Sequence, residues 1–61
     1  MEKAKELKEM HETIQSMKAA AESLIDIGSD FPAICCNTAR IMASIKMLEI
    51  NVSDLMAIEE E

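Results

Sequence analysis

The stretch Phe31 to Ile58, FPAICCNTARIMASIKMLEINVSDLMAI, decides the fold. It carries only four charges: Arg40, Lys46, Glu49 and Asp54. One row within it, Ile34, Thr38, Ile41, Ile45, Leu48, Val52 and Leu55, recurs at alternating steps of four and three. That is the heptad spacing of a helix with one packed face. Apolar residues also lie off this row. Cys35, Met42 and Met56 run along one flank, and Met47, Ile50 and Ile58 lie further round. A helix apolar on most of its circumference needs cover on most of its circumference.

Working outward, the residues before it supply one such cover. Leu7, Met10, Ile14, Met17, Ala21 and Leu24 form a second heptad row, with polar residues on the other faces. This predicts an ordinary amphipathic helix over 2–27. The run Ala19-Ala20-Ala21 favours helix and permits close approach. Gly28, the only glycine, sits where a left-handed residue commonly closes a helix. Ser29 and Asp30 are turn and N-cap types, and Pro32 suits a first helical turn. A turn at 28–31 and a second helix over 32–58 follow, with Phe31 folding over the end. The helix is expected to continue through Asn51-Val52-Ser53, because the row stays in phase there. Glu59, Glu60 and Glu61 place negative charge at a helix C-terminus, which is unfavourable, so 59–61 is expected to be a frayed acidic tail.

The expected fold is therefore all-α: residues 1–61 form one helical hairpin that dimerises into a four-helix bundle. The chain has 61 residues. A domain this small adds disulfides, a metal or oligomerisation to its core. Adjacent cysteines cannot staple distant segments, and a single histidine offers little to a metal, so no cofactor or metal is expected. Oligomerisation is left. Ile41, Met42, Ile45, Leu48, Val52, Leu55 and Met56 are the expected dimer-interface residues.

Twelve acidic residues oppose six basic ones, for a net charge of −6. That balance argues against nucleic acid and against an anionic membrane surface as partners. Phe31 is the one aromatic residue, so base-stacking platforms are absent. The first ten residues alternate in charge and hold no apolar signal core, and no uncharged run approaches a membrane span. Two cysteines without a disulfide framework suit a reducing compartment, so a cytoplasmic location is expected.

Three features are candidates for chemistry or recognition. Cys35-Cys36 is expected in the first turn of the second helix, a position where a helix dipole can activate a thiol. A vicinal dithiol there would be redox-active or bind a soft metal, although adjacent helical residues point about 100° apart, a poor chelating geometry. The row Asn37, Arg40, Ser44, Met47 and Asn51 is the most polar face of the second helix. A methionine on such a face suits an adaptable contact, so this row is the expected partner-binding face, for another protein. His11 is the third. It lies roughly 20 Å along the hairpin from the cysteines by helix rise, so the two cannot share a site.

A dimerising hairpin carrying Glu9-Met10-His11-Glu12 on its first helix, and Arg40-Ile41 followed by Ile45 and Leu48 on its second, resembles the dimerisation and phosphoacceptor domain of sensor histidine kinases. The resemblance implies His11 as phosphate acceptor, with its acidic neighbour assisting proton removal. The chain departs from that family after the histidine, where Ile14-Gln15-Ser16 replaces its polar-then-proline signature, and these residues hold no nucleotide-binding domain. Nothing in the chain pairs a nucleophile with a base or cradles a phosphate. The expected function is a non-catalytic, homodimeric protein-interaction or regulatory module. The alternatives are a redox or metal-responsive protein using Cys35 and Cys36, and a phosphoacceptor hairpin using His11.

Overall fold

The computed structural model describes residues 2–59. Two helices, α1 (Glu2–Ile27) and α2 (Pro32–Glu59), pack against each other in a hairpin about 46 Å long. No strand occurs among the described residues. The second helix runs unbroken through Asn51-Val52-Ser53. Val52, buried inside the hairpin, anchors that weak stretch. Of the tail expected at 59–61, Glu59 still belongs to α2, and residues 60 and 61 lie outside the described ones.

The turn differs from its expected form in three ways. Among the described residues none, Gly28 included, has a positive φ. Gly28 continues the helical pattern, its N–H donating to the Leu24 carbonyl at 2.8 Å, and its own carbonyl accepts from Phe31 N–H at 2.8 Å. Glycine is required there by crowding: an added Cβ would lie 2.8 Å from Ile34 Cγ2 and 3.0 Å from the Leu24 carbonyl oxygen. The cap of α2 is the backbone of Phe31, whose carbonyl accepts from Ile34 and Cys35 N–H at 3.0 and 3.1 Å. Ser29 and Asp30 stand exposed before it. Phe31 does not fold over the end; it is 62% exposed.

The core is narrower than either heptad row. Among the described residues, Leu7, Ile14 and Ala21 alone are buried on α1, and Thr38, Ile45 and Val52 alone on α2. Each set is spaced by seven. In the register that the turn imposes, Ala21 lies level with Thr38, Ile14 with Ile45, and Leu7 with Val52. Two cylinders touch along a line, so one residue in every two turns points straight at the neighbour. The intervening members of each row point aside. Because the helices are antiparallel, they point to the same side.

Candidate functional site

That side is an open apolar face. Met10, Met17 and Leu24 come to it from α1, and Ile34, Ile41, Leu48 and Leu55 from α2. All seven are between 40% and 52% exposed. They outnumber the five buried apolar residues of the core, so more large apolar side chains are left half wet than are dried. A shallow depression between Met17, Leu24, Thr38 and Ile41 continues towards the open end as one between Met10, Ile14, Leu48 and Val52. The edges of the face are short and mostly uncharged: Thr13 and Ala20 beside the α1 row, and Asn37, Ser44 and Asn51 beside the α2 row. Charge enters the margin only in the half away from the turn: Glu9 beside Met10 and Thr13, and Lys3 and Glu6 around Leu7, Met10 and Leu55.

The opposite side is finished differently. Met42 and Met56 pack half-buried against the core. Gln15 Nε2 donates to Glu49 Oε2 at 2.8 Å, and Lys18 Nζ lies 3.6 Å from the same oxygen. The Gln15 hydrogen bond is the main reason the Glu49 carboxyl is held below the usual carboxylate range. Partial burial opposes that shift, and the Lys18 and Lys46 charges add to it. Lys18–Glu49 is the one salt bridge among the described residues. The pairs Lys5–Glu9 and Lys8–Glu12, spaced for surface pairing, do not form it. The cluster escaped sequence reading, yet its signal was present. Lys18 and Glu49 each follow a buried isoleucine by four residues, which puts both on one side of the contact line.

The residues expected at a dimer interface are thus divided by the hairpin itself. Ile41, Leu48 and Leu55 line the open face. Ile45 and Val52 are 4% and 6% exposed and have little surface left for a second chain. Met42 and Met56 lie on the opposite side. The row expected to bind a partner also divides. All of Asn37, Arg40, Ser44, Met47 and Asn51 are exposed. Helical spacing sets Asn37, Ser44 and Asn51 at the edge of the open face, whereas Arg40 and Met47 point away from α1.

Cys35 is half-buried, and its Sγ–H donates to the Gly28 carbonyl at 3.2 Å, tying the start of α2 to the end of α1. Cys36 is exposed and points elsewhere. His11 is exposed on α1, far from both. Among the described residues no group of three or more His, Cys, Asp or Glu is placed to hold a metal ion. Among the described residues no helix is long and apolar enough to cross a membrane. In comparisons with protein families, curated proteins and solved structures, nothing matches this chain.

Proposed function

We propose that the chain is a non-catalytic protein-interaction or regulatory module that works as a homodimeric four-helix bundle, a second hairpin covering the open face. The observation that carries this reading is the row of seven half-exposed apolar residues at seven-residue spacing. Area supports it. The hairpin exposes 4882 Å², whereas a compact protein of 6.8 kDa exposes about 4,000 Å². The excess, about 900 Å², is what one partner contributes to a standard interface of about 800 Å² per side. Charge supports it as well. A chain of net charge −6 repels its copy least where charge is sparse, and this face meets charge only at its margin away from the turn, at Lys3, Glu6 and Glu9.

Ile41, Leu48 and Leu55, with Met10, Met17 and Leu24, are the residues assigned to the dimer contact. Ile45 and Val52 stiffen each hairpin from within. Arg40 and Met47 stay outside the bundle and are assigned to a protein partner. An exposed Cys36 thiol fits a reducing, cytoplasmic setting. Sedimentation equilibrium under reducing conditions tests the reading: the expected mass is twice the chain's 6.8 kDa. A folded, helical species at the single-chain mass at micromolar concentration would sink it.

A further inference from the structure

We infer that the flank of α2 turned away from the open face, centred on Ala39 and Ala43, docks an acidic amphipathic helix of another protein. This rests on the interaction-module reading and gives its partner a chemistry. It does not depend on the dimer, because the flank lies on the far side from the open face.

Charge is banded along the hairpin. The register sets residues 13–21 of α1 level with 38–46 of α2, and these hold Lys18, Arg40 and Lys46 and no carboxylate. On the turn side, residues 22–37 hold Glu22, Asp26 and Asp30 and no cation. On the far side, Lys3, Lys5 and Lys8 are matched by Glu6, Glu9 and Glu12, and 47–58 adds Glu49 and Asp54. Within 3–58 the middle band is thus the positive section of an acidic chain. At about 1.5 Å per residue the segment 38–46 is about 13 Å long. That exceeds the Debye length of about 8 Å at physiological ionic strength, so a ligand lying on the band meets the band's own sign.

The band's cations surround one flank. A shallow depression there has Ala39, Met42 and Ala43 for its floor and Lys18, Lys46 and Glu49 at its rim. Arg40 and Lys46, three residues before and after Ala43, lie on either side of it. Both are exposed, and neither forms a salt bridge among the described residues. Glu49 is the opposing charge at the rim, and it is already engaged: it accepts from Gln15 at 2.8 Å and lies 3.6 Å from Lys18. Beyond the rim, Glu22 follows Lys18 by one turn and Asp54 follows Lys46 by two, so the positive stretch has an end on each helix.

Shape and hydropathy fit a helix. Ala39 and Ala43 are exposed and small, so a second backbone can come close between the longer side chains around them. Met47 and Ile50, 59% and 45% exposed, supply adaptable apolar contact beyond Ala43. The outward rows of α1 carry Lys5, Glu9, Glu12, Ser16 and Ser23 instead. Carboxylates on both sides of a partner's apolar seam meet Lys46 on one edge and Arg40 on the other. A nucleic-acid strand fits poorly, because its charge runs on past the band onto the acidic sections at either end, and the flank has no aromatic ring for a base.

Two synthetic three-heptad helical peptides test the assignment. Both carry leucine and alanine on one seam; one has glutamate beside the seam and the other lysine. Each is titrated into the isotope-labelled chain and followed by amide chemical shifts, with the mass of the same sample taken by sedimentation. The glutamate peptide is expected to bind on the order of tenfold more tightly, shifting Ala39, Ala43, Lys46 and Ile50 and sparing Met10, Met17 and Leu48. Arg40→Glu/Lys46→Glu is expected to stay helical and reverse the preference. If that variant unfolds, Arg40→Gln/Lys46→Gln is expected to abolish the preference. No binding, equal binding of both peptides, or shifts confined to the open face overturns the docking flank and leaves the dimer standing. A mass above the dimer without peptide, lost in the double variant, puts a second copy's acidic end on the flank and overturns the foreign partner. A single-chain mass with shifts on the flank overturns the dimer and leaves the docking flank.

Discussion

Gly28 lets the helices close because it lacks a methyl group. A Cβ there would press on Ile34 Cγ2 and on the Leu24 carbonyl, neither of which is the free end of a flexible chain. Gly28→Ala is expected to lower hairpin stability by about 1–3 kcal/mol, measured by urea denaturation, and Ile34→Ala in the same chain should recover part of the loss. A neutral Gly28→Ala would show that the turn has slack. Glu49 makes a prediction about pH. Its pKa is lowered in the folded chain, so it adds stability above its unfolded pKa and loses that contribution as pH falls through the folded value. Melting temperatures are therefore expected to drop more between about pH 5 and pH 3 in the native chain than in Glu49→Gln. Equal drops would mean that the Gln15–Glu49–Lys18 cluster contributes nothing to folding.

At the scale of the helix, α2 is divided into a dry line and a wet one, and two isoleucines four residues apart separate them. Ile45 is 4% exposed and Ile41 is 52% exposed. Ile45→Glu buries an unpaired charge, at a cost of about 3–5 kcal/mol, so helical circular dichroism should be lost at every chain concentration. Ile41→Glu puts its carboxylate where the hairpin alone leaves water. Its lesion belongs to assembly, with dimer affinity falling on the order of 100-fold and helicity returning as concentration rises. The same dichroism titration reads both variants, and matching behaviour would erase the distinction between the core line and the open face.

For the whole molecule, the number of large apolar residues left half exposed sets the expectation. In the proposed dimer a hairpin with so thin a core draws stability from its second copy, and mass action then ties unfolding to concentration. The melting temperature is expected to rise steadily across a hundredfold range of chain concentration. A melting temperature flat over that range would mean that the hairpin stands alone. The proposed dimer also gives the acidic composition a role: charge that lies mostly on the outer faces limits association to the face where it is sparse.

The sequence by itself determined the helices, their bounds and the apolar rows, because helix ends, turn residues and seven-residue spacing are local properties. It predicted 2–27 and 32–58, and the helices span 2–27 and 32–59. Only the tertiary structure decided which half of each row is buried. Heptad spacing is the same for a helix with one neighbour as for a helix with three, so it could not show that Met10, Met17, Leu24, Ile34, Ile41, Leu48 and Leu55 would be left on one open side. Nor could it show that Gly28 is needed for room and not for a left-handed backbone, since that depends on Ile34 arriving from the next helix. The Gln15–Glu49 contact likewise joins residues 34 positions apart, and the register that brings them together exists only once the turn has closed.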